Sequence, residues 1–332
     1  MTLAEAFHQE MESFDTGRVT ADISEKIREL LIHRLKRRGI VLGLSGGIDS
    51  SVTAALAAQA VGGRRVVALL MPERHSSPDT LEMSQLVAGH FNIPTEHEDI
   101  TPILEAVRFY PRYNEAVRQV IPGYGEGWTS KIARANIIDN EGFALFSIVA
   151  RSPDGLMAEE RLPLQAYLQI VAATNFKQRI RKMMEYYYAD RFNFAVAGTP
   201  NRLEYDQGFF VKQGDGAADL KPIAHLYKSQ VYKLAEHLGV PARIRSRPPT
   251  TDTYSMPQSQ DEFYFSLPYR QMDLCLFAKN NGFGVEETAA LLELTPQQTQ
   301  RVFDDIDKKR STTRYQHFPP LLMEEIPEIE AF

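Results

Sequence analysis

The sequence predicts an α/β protein: a doubly wound parallel sheet with helices on both faces, an inserted hairpin and loop region, and a helical C-terminal part. Three observations carry that reading. Short apolar runs with the length of buried strands alternate with segments of helical period, a rhythm that implies right-handed crossovers. A turn rich in glycine and serine joins the first of those runs to the helix after it. The composition, 43% hydrophobic and 24% charged, is that of an ordinary globular chain with ample apolar material for a core. The 332 residues read as a single domain, 1–332, with the insertion at about 109–164 and the helical C-terminal part at about 269–320.

Ile23, Ile27, Leu30, Leu31 and Leu35 share one helix face, and a charged face lies opposite. Ile40 to Leu44 is the first buried strand, and the alanine-rich stretch Ser51 to Val61 is a helix stopped by Gly62-Gly63. Val66 to Met71 is a second strand. Ser77-Pro78-Asp79 starts a helix that runs to about His90, with proline at its first position. Ile93 to Glu98 is a third strand, with a further helix over Pro102 to Val107. From Phe109 to Leu164 the rhythm breaks. This piece reads as a hairpin with loops, containing a strand over Phe143 to Ala150 and a turn at Ser152-Pro153-Asp154-Gly155. A long helix over Leu164 to Ala189, a fourth strand over Phe192 to Ala197 and a helix over Lys228 to Leu238 follow, the last closed by Gly239. Arg247 to Gln260 is loop, and two or three helices over about 269–280, 285–292 and 296–309 finish the chain.

Charge and cysteine usage narrow the function classes. Lys plus Arg number 37 against 43 Asp plus Glu, a net charge of −6, which argues against a nucleic-acid coat or a binder of anionic membranes. The single cysteine, Cys275, permits no internal disulfide and no cysteine-rich zinc site, and fits a reducing compartment. It falls in an amphipathic helix, where it reads as small core filler. Neither a targeting segment nor an apolar run of membrane-spanning length is visible, so the expected location is the cytoplasm. Tyr186-Tyr187-Tyr188 cannot share one helix face and is expected to divide between core and a dimer surface.

The chemistry-bearing segment is Gly43-Leu44-Ser45-Gly46-Gly47-Ile48-Asp49-Ser50, between a buried strand and a helix. Backbone N–H groups at a helix N-terminus suit an anion, and glycine lets the backbone approach a phosphate closely. Ser45 and Ser50 add hydroxyls. Asp49 repels phosphate directly, so its use is to hold a Mg²⁺ that itself holds phosphate oxygens. The spacing is neither a Walker A loop nor a dinucleotide fingerprint. Two other readings stay open from these residues: a plain tight turn with Asp49 placed for the helix dipole, and a G-x-S-x-G nucleophile elbow with Ser45 as the serine of a hydrolase.

This loop resembles the SGGxDS pyrophosphate loop of the N-type ATP pyrophosphatases, whose fold is the adenine nucleotide alpha hydrolase-like, Rossmann-like sheet. Later segments choose the member: Gly198-Thr199-Pro200-Asn201-Arg202-Leu203-Glu204, Gly208 to Pro222 with its Gly-Asp-Gly at Asp215, Leu226 to Gln230, Pro248 to Asp252, and the Asn175, Arg179, Arg181 helix pattern. Together they are similar to the NAD synthetases of the ammonia-dependent type, over about residues 20–105 and 167–262 and more weakly in the tail. The resemblance implies that a carboxylate is activated with ATP and amidated by ammonia, free or delivered by a separate glutaminase. It implies contacts to ATP from Gly43, Leu44, Ser45, Gly46, Gly47, Ile48, Asp49, Ser50, Thr199, Lys228 and Thr250. Arg179, Lys212 and Asp219 are implied to contact deamido-NAD, Asp49 and Glu204 to hold Mg²⁺, and Asp49, Lys228 and Asp215 to serve catalysis. Asp49 and Glu204 each lie just past a parallel strand, at the edge where such sheets bind ligands. As alternatives, Lys228 reads as a surface lysine, Arg179 as part of a solvated helix face, and Asp215 as a turn former. The family is homodimeric, so a homodimer is expected. The sequence departs from the family pattern at Tyr264-Phe265-Ser266, at Arg314-Tyr315-Gln316 and in the long insertion. All three are expected to shape the site for the acid, with nicotinate mononucleotide or another carboxylate as alternative substrates.

Overall fold

The computed structural model describes residues 1–134, 136, 138, 146–248, 250–251, 253–259, 261–265 and 267–329. A parallel sheet of four strands runs in the order β3-β2-β1-β7, from β1 (Ile40–Gly43), β2 (Val66–Leu70), β3 (Thr95–His97) and β7 (Ala195–Val196). Ile40 pairs with Val66 on one side and with Ala195 on the other, so β1 is central and fully flanked. Its residues Ile40, Val41 and Leu42 are inaccessible to solvent, as a strand covered on both faces requires.

One face of the sheet is covered by α2 (Thr16–Glu29), α3 (Ile48–Val61), α4 (Pro78–His90) and α9 (Lys228–His237), around a core that includes Leu42, Val52, Leu56 and Val231. The opposite face packs on α5 (Thr101–Ala106), α6 (Phe109–Arg118) and α7 (Leu164–Phe192), around Val41, Leu69, Phe109 and Ile170. Helices on both faces make the sheet doubly wound. A third core joins α1 (Leu3–Glu12) to α11 (Tyr269–Asn280), α12 (Val285–Leu292) and α13 (Pro296–Thr313). Cys275 is buried there, and burial pushes its thiol up to about 12. Among the described residues, no helix is long and apolar enough to cross a membrane.

The insertion is more ordered than a hairpin with loops. It begins with the helix α6, where Pro111 sits in the first turn, whose N–H groups have no intrahelical partner in any case. Tyr113, Ala116 and Val117 then bury one face. Beyond it, β4 (Thr129–Arg134), β5 (Phe146–Arg151) and β6 (Met157–Arg161) form an antiparallel sheet of three strands. The turn at Ser152–Gly155 joins β5 to β6, with Gly155 N–H donating to the Ser152 carbonyl at 3.0 Å. Of the expected strand over Phe143 to Ala150, residues 143–145 lie outside those described. The edge strand β6, Met-Ala-Glu-Glu-Arg, is mostly exposed and charged, which hides it from an apolar-run reading.

Other boundaries shift by a few residues. The long helix α7 continues to Phe192 and ends where Asn193 takes a left-handed conformation (φ 56°), so the fourth strand is only Ala195–Val196. Within it Tyr188 is buried and Tyr187 is 56% exposed, so the tyrosine run divides between core and surface.

Candidate active site

β1 ends at Gly43, the chain bends, and α3 starts at Ile48. The bend is held from within. The Ser45 and Ser50 hydroxyls lie 3.1 Å apart, the Ser45 N–H donates to Ser50 Oγ at 3.3 Å, and the Ser51 hydroxyl donates to the Gly47 carbonyl at 2.7 Å. The neighbouring helix α4 fixes its far side, where the Ser84 hydroxyl donates to the Leu44 carbonyl at 2.8 Å. Gly46 has φ +69°, and a Cβ built there would stand 2.6 Å from Met83 Cβ. Gly46→Ala is therefore expected to combine left-handed strain with a backbone shift, at about 1–3 kcal/mol. Its reading is a raised KM for ATP and a lowered midpoint of thermal unfolding. The first turn of α3, beside this bend, carries N–H groups that a helix leaves without an intrahelical partner. All eight residues Gly43 to Ser50 line one cleft of 1090 Å³.

Three further parts of the sequence reach the same cleft. Glu204 stands in α8 (Arg202–Gln207), Lys228 opens α9, and Asp215 lies in the loop between these two helices. Lys228 is 1% exposed and its ammonium is ion-paired with Asp49. Burial alone would lower its pKa, but the charges of Asp49 and Glu204 overcome that and raise it to about 12. Asn201 joins the two acids. Its Nδ2 donates to Asp49 Oδ1 at 3.1 Å, while its Oδ1 accepts the Glu204 N–H at 3.2 Å and its own N–H donates to Glu204 Oε2 at 3.1 Å. The last two bonds are a capping box that starts α8. Asp49, Asn201, Glu204 and Lys228 thus form one connected group, of which Asp49, Glu204 and Lys228 line the cleft.

Two residues of this arrangement were not singled out from the sequence. Asn201 was read only as part of a motif, although Asn-x-x-Glu after a strand is a capping signature that marks it. Asp273, in α11, left no local mark. Its carboxylate accepts the Lys228 N–H at 3.1 Å, and the Ser229 N–H and hydroxyl at 2.7 Å each. It caps α9 from a distance, so the C-terminal helices set the position of Lys228. Burial lifts the Asp273 carboxyl to about 6 against the pull of the Ser229 hydrogen bonds.

Asp215 accepts the Val211 N–H at 2.7 Å, which closes its loop, and burial raises its pKa against that bond and the charge of Lys182. Lys182 pairs with Glu185 at 2.6 Å on α7, and Glu185 lies under Gly43, where a Cβ would come within 2.9 Å of Oε1. Thr199 lines the cleft. Thr250 lies in the short strand Thr250–Thr251, and its side chain is outside the described residues.

The three residues expected at the dinucleotide do not line this cleft. Arg179 is exposed, and its Nε donates to the Lys212 carbonyl at 3.3 Å. Lys212 donates to the carbonyls of Tyr315 (2.8 Å) and Phe318 (3.2 Å), holding the C-terminal turn. Asp219 accepts the Val196 N–H at 2.7 Å and the Tyr186 hydroxyl at 3.3 Å, at the end of β7. The hydrolase alternative fails on geometry. The Ser45 hydroxyl is engaged by Ser50 and the Gly47 N–H, and among the described residues no histidine is its partner.

A bend of glycine and serine at the end of a central parallel strand, carrying Asp49 and sharing one cleft with Glu204 and the buried Lys228, is the site of a nucleotide-using α/β enzyme. The chain belongs to the NAD synthase family, whose model matches residues 19–138 and 155–316. It is 54% identical over 319 residues to the "NH(3)-dependent NAD(+) synthetase" of Rhizobium meliloti, covering 96% of this chain and 94% of that one. The protein of the same name from Rhizobium rhizogenes is 56% identical over 304 residues, 92% of each. These likenesses make the chain an ATP-dependent ligase. Among solved structures, an NMN synthetase from Francisella tularensis has a TM-score of 0.65 at 22% identity, covering 93% of this chain and 98% of that one. An NH3-dependent NAD synthetase from Campylobacter jejuni has 0.60 at 24%, covering 93% and 100%. These two share the fold.

Proposed function

We propose that the enzyme converts deamido-NAD to NAD with ATP and free ammonia in the cytoplasm. The observation that carries this is the opening of the phosphate bend into the same cleft as the Asp49, Asn201, Glu204 and Lys228 group. The relatives' shared name supports the substrates. In the first step a nicotinate carboxylate oxygen bonds to the α-phosphorus of ATP, and the bond to the β-phosphate breaks with release of pyrophosphate. The N–H groups of the bend and the Lys228 ammonium meet the charge of the phosphates. In the second step ammonia bonds to the acyl carbon, AMP leaves, and nitrogen gives up a proton. Asp215 lines the same cleft, and we assign it to take that proton.

Mg²⁺ fits this site as an ion shared with substrate. Asp49 and Glu204 are hard oxygen donors on one wall. Among the described residues no cluster of three or more His, Cys, Asp or Glu could hold a metal, so phosphate oxygens and water would complete the shell. Bound there, the ion would neutralise charge on the phosphates.

A homodimer fits the long helix. Leu164 (71% exposed), Leu168 (54%), Met183 (54%) and Tyr187 (56%) are large apolar side chains exposed along α7. Arg179 is exposed on the same helix, and its contact with the dinucleotide would come through the second copy. The test is a panel of deamido-NAD, nicotinate mononucleotide and simple carboxylic acids with ATP, Mg²⁺ and ammonium. Pyrophosphate and NAD are expected to form together from deamido-NAD, in a protein of two chains by light scattering. No turnover of deamido-NAD would remove the reading.

A further inference from the structure

The two edges of the central sheet differ in character. The carboxyl edge opens on the cleft. The amino edge is strongly basic, on a chain whose net charge is −6. Ile40 is in register with Val66 on one side and with Ala195 on the other, so the residues ahead of these three strands share that edge. Lys36, Arg37 and Arg38 precede β1, Arg64 and Arg65 precede β2, and Arg191 precedes β7; all are exposed. Backbone contacts bring them together: the Arg38 N–H donates to the Asn193 carbonyl at 3.0 Å, and the Arg65 carbonyl lies against Gly39. Part of this charge serves the helix ends that meet here. Arg37 donates to the Leu35 carbonyl at 3.2 Å, and Arg65 to the Val61 carbonyl at 2.7 Å. Among the described residues, none of the six is ion-paired with an acid. Ile32, on the helical turn Leu30–Leu35 beside them, is 64% exposed.

The end of the chain has the opposite character. Past the turn that Lys212 holds, the one hydrogen bond among the described residues runs from the Ile329 N–H to the Ile326 carbonyl, within the segment itself. Leu321, Leu322, Met323, Ile326 and Ile329 are exposed, Met323 to 92%. Glu324, Glu325 and Glu328 stand among them, and no Lys or Arg lies between 319 and 332. A run of large apolar side chains left in water marks an interaction site. The family match ends at residue 316, so this segment lies beyond the matched enzyme.

We propose that residues 321–329 of one copy dock on the basic amino edge of a second copy. Charge complementarity selects this occupant. Glu324 to Glu328 spans about 13 Å when extended, and the edge from β7 to β2 spans about 10 Å, so the acids can face all three strand starts. The leucines and isoleucines then cover Ile32. Within one copy the two surfaces are not joined, since both are exposed. A nucleic acid would match the arginines but leave Ile32 and the tail in water, and the net charge of the chain repels it.

Cys275, the only cysteine, is buried, which permits a cross-linking test in the full chain. Ile32→Cys protein and Met323→Cys protein, mixed under mild oxidation, are expected to form a disulfide-linked pair with one chain of each. Adding Arg37→Glu, Arg38→Glu and Arg64→Glu to the Ile32→Cys chain is expected to lower the yield about tenfold or more. Adding Glu324→Lys, Glu325→Lys and Glu328→Lys to the Met323→Cys chain should then restore it. Ligase activity of every variant stays within about twofold, because none of these residues lines the cleft. No mixed disulfide, a yield indifferent to the charge reversals, no recovery on the charge swap, or a disulfide closing within one chain that carries both cysteines would each overturn the proposal. So would protection of Ile32→Cys by an equimolar single-stranded oligonucleotide, which would make a nucleic acid the occupant.

Discussion

Asp49→Asn is expected to lower kcat for pyrophosphate release by about a hundredfold to a thousandfold, the loss found when one preorganised electrostatic partner leaves an active site. The substitution is nearly isosteric, and Asn201 Nδ2 can still donate to the side-chain oxygen. What disappears is a negative charge beside a lysine that is 1% exposed. Lys228 then keeps only the field of Glu204 among the two acids that now hold its charge. The ammonium loses its fixed orientation, and the wall loses one of two oxygen donors suited to a metal. The defect belongs in kcat under saturating ATP and deamido-NAD, because the bend itself is built from serine and glycine contacts that Asp49 does not make. Full activity in this variant would place the reaction away from the Asp49, Asn201, Glu204 and Lys228 group.

Much of that group was legible in the sequence because it is local. The Ser45 to Ser50 bend, its strand and its helix are contiguous, and glycine at position 46 states a backbone conformation in the residue itself. The acids at the strand tips were legible for the same reason, since a parallel sheet puts its binding edge at the carboxyl ends of its strands. Partnerships between distant segments were not. Asp273 holds the first turn of α9 from another helix, and no periodicity or spacing records that contact. The inserted sheet was hidden by its own exposure. Its edge strand is charged where a buried strand would be apolar, and its apolar residues Ile148 and Ala150 meet their partners across the chain. For Arg179, Lys212 and Asp219 a motif states order, not position. Their order in the chain matches a pattern, but within one copy they hold loops and the C-terminal turn rather than the cleft.

The largest stability effect is expected at Glu73. Its side chain is fully buried and ion-paired with Lys177 of α7 at 2.7 Å, and it also accepts the Tyr110 hydroxyl at 3.0 Å. Lys177 donates in addition to the Thr253 carbonyl at 3.1 Å and lies 5.1 Å from the centre of the Phe109 ring. Glu73→Gln removes the Glu73 charge from beside the buried Lys177 ammonium, and breaking a buried pair from one side costs about 3–5 kcal/mol. The paired change Glu73→Leu with Lys177→Met removes both charges and is expected to recover most of that loss. The pH dependence has a definite sign. Burial alone would raise the Glu73 carboxyl, but the charge and hydrogen bond of Lys177 outweigh it and hold the carboxyl below its usual value, with His75 adding to the same side. A depressed carboxyl contributes stability that is complete above the unfolded value of about 4.3 and is lost as pH falls through the folded one. Denaturant titrations should therefore show the gap between wild type and Glu73→Gln wide at neutral pH and closing below about pH 4.3. A gap independent of pH would mean that packing, not charge, sets the cost. Activity should follow, because the pair joins α7 to two other cleft walls, the segment from Met71 to Ser77 and the segment around Thr253. A variant that folds but has lost this tie is expected to bind both substrates more weakly, with Lys177 still in place and no longer fixed.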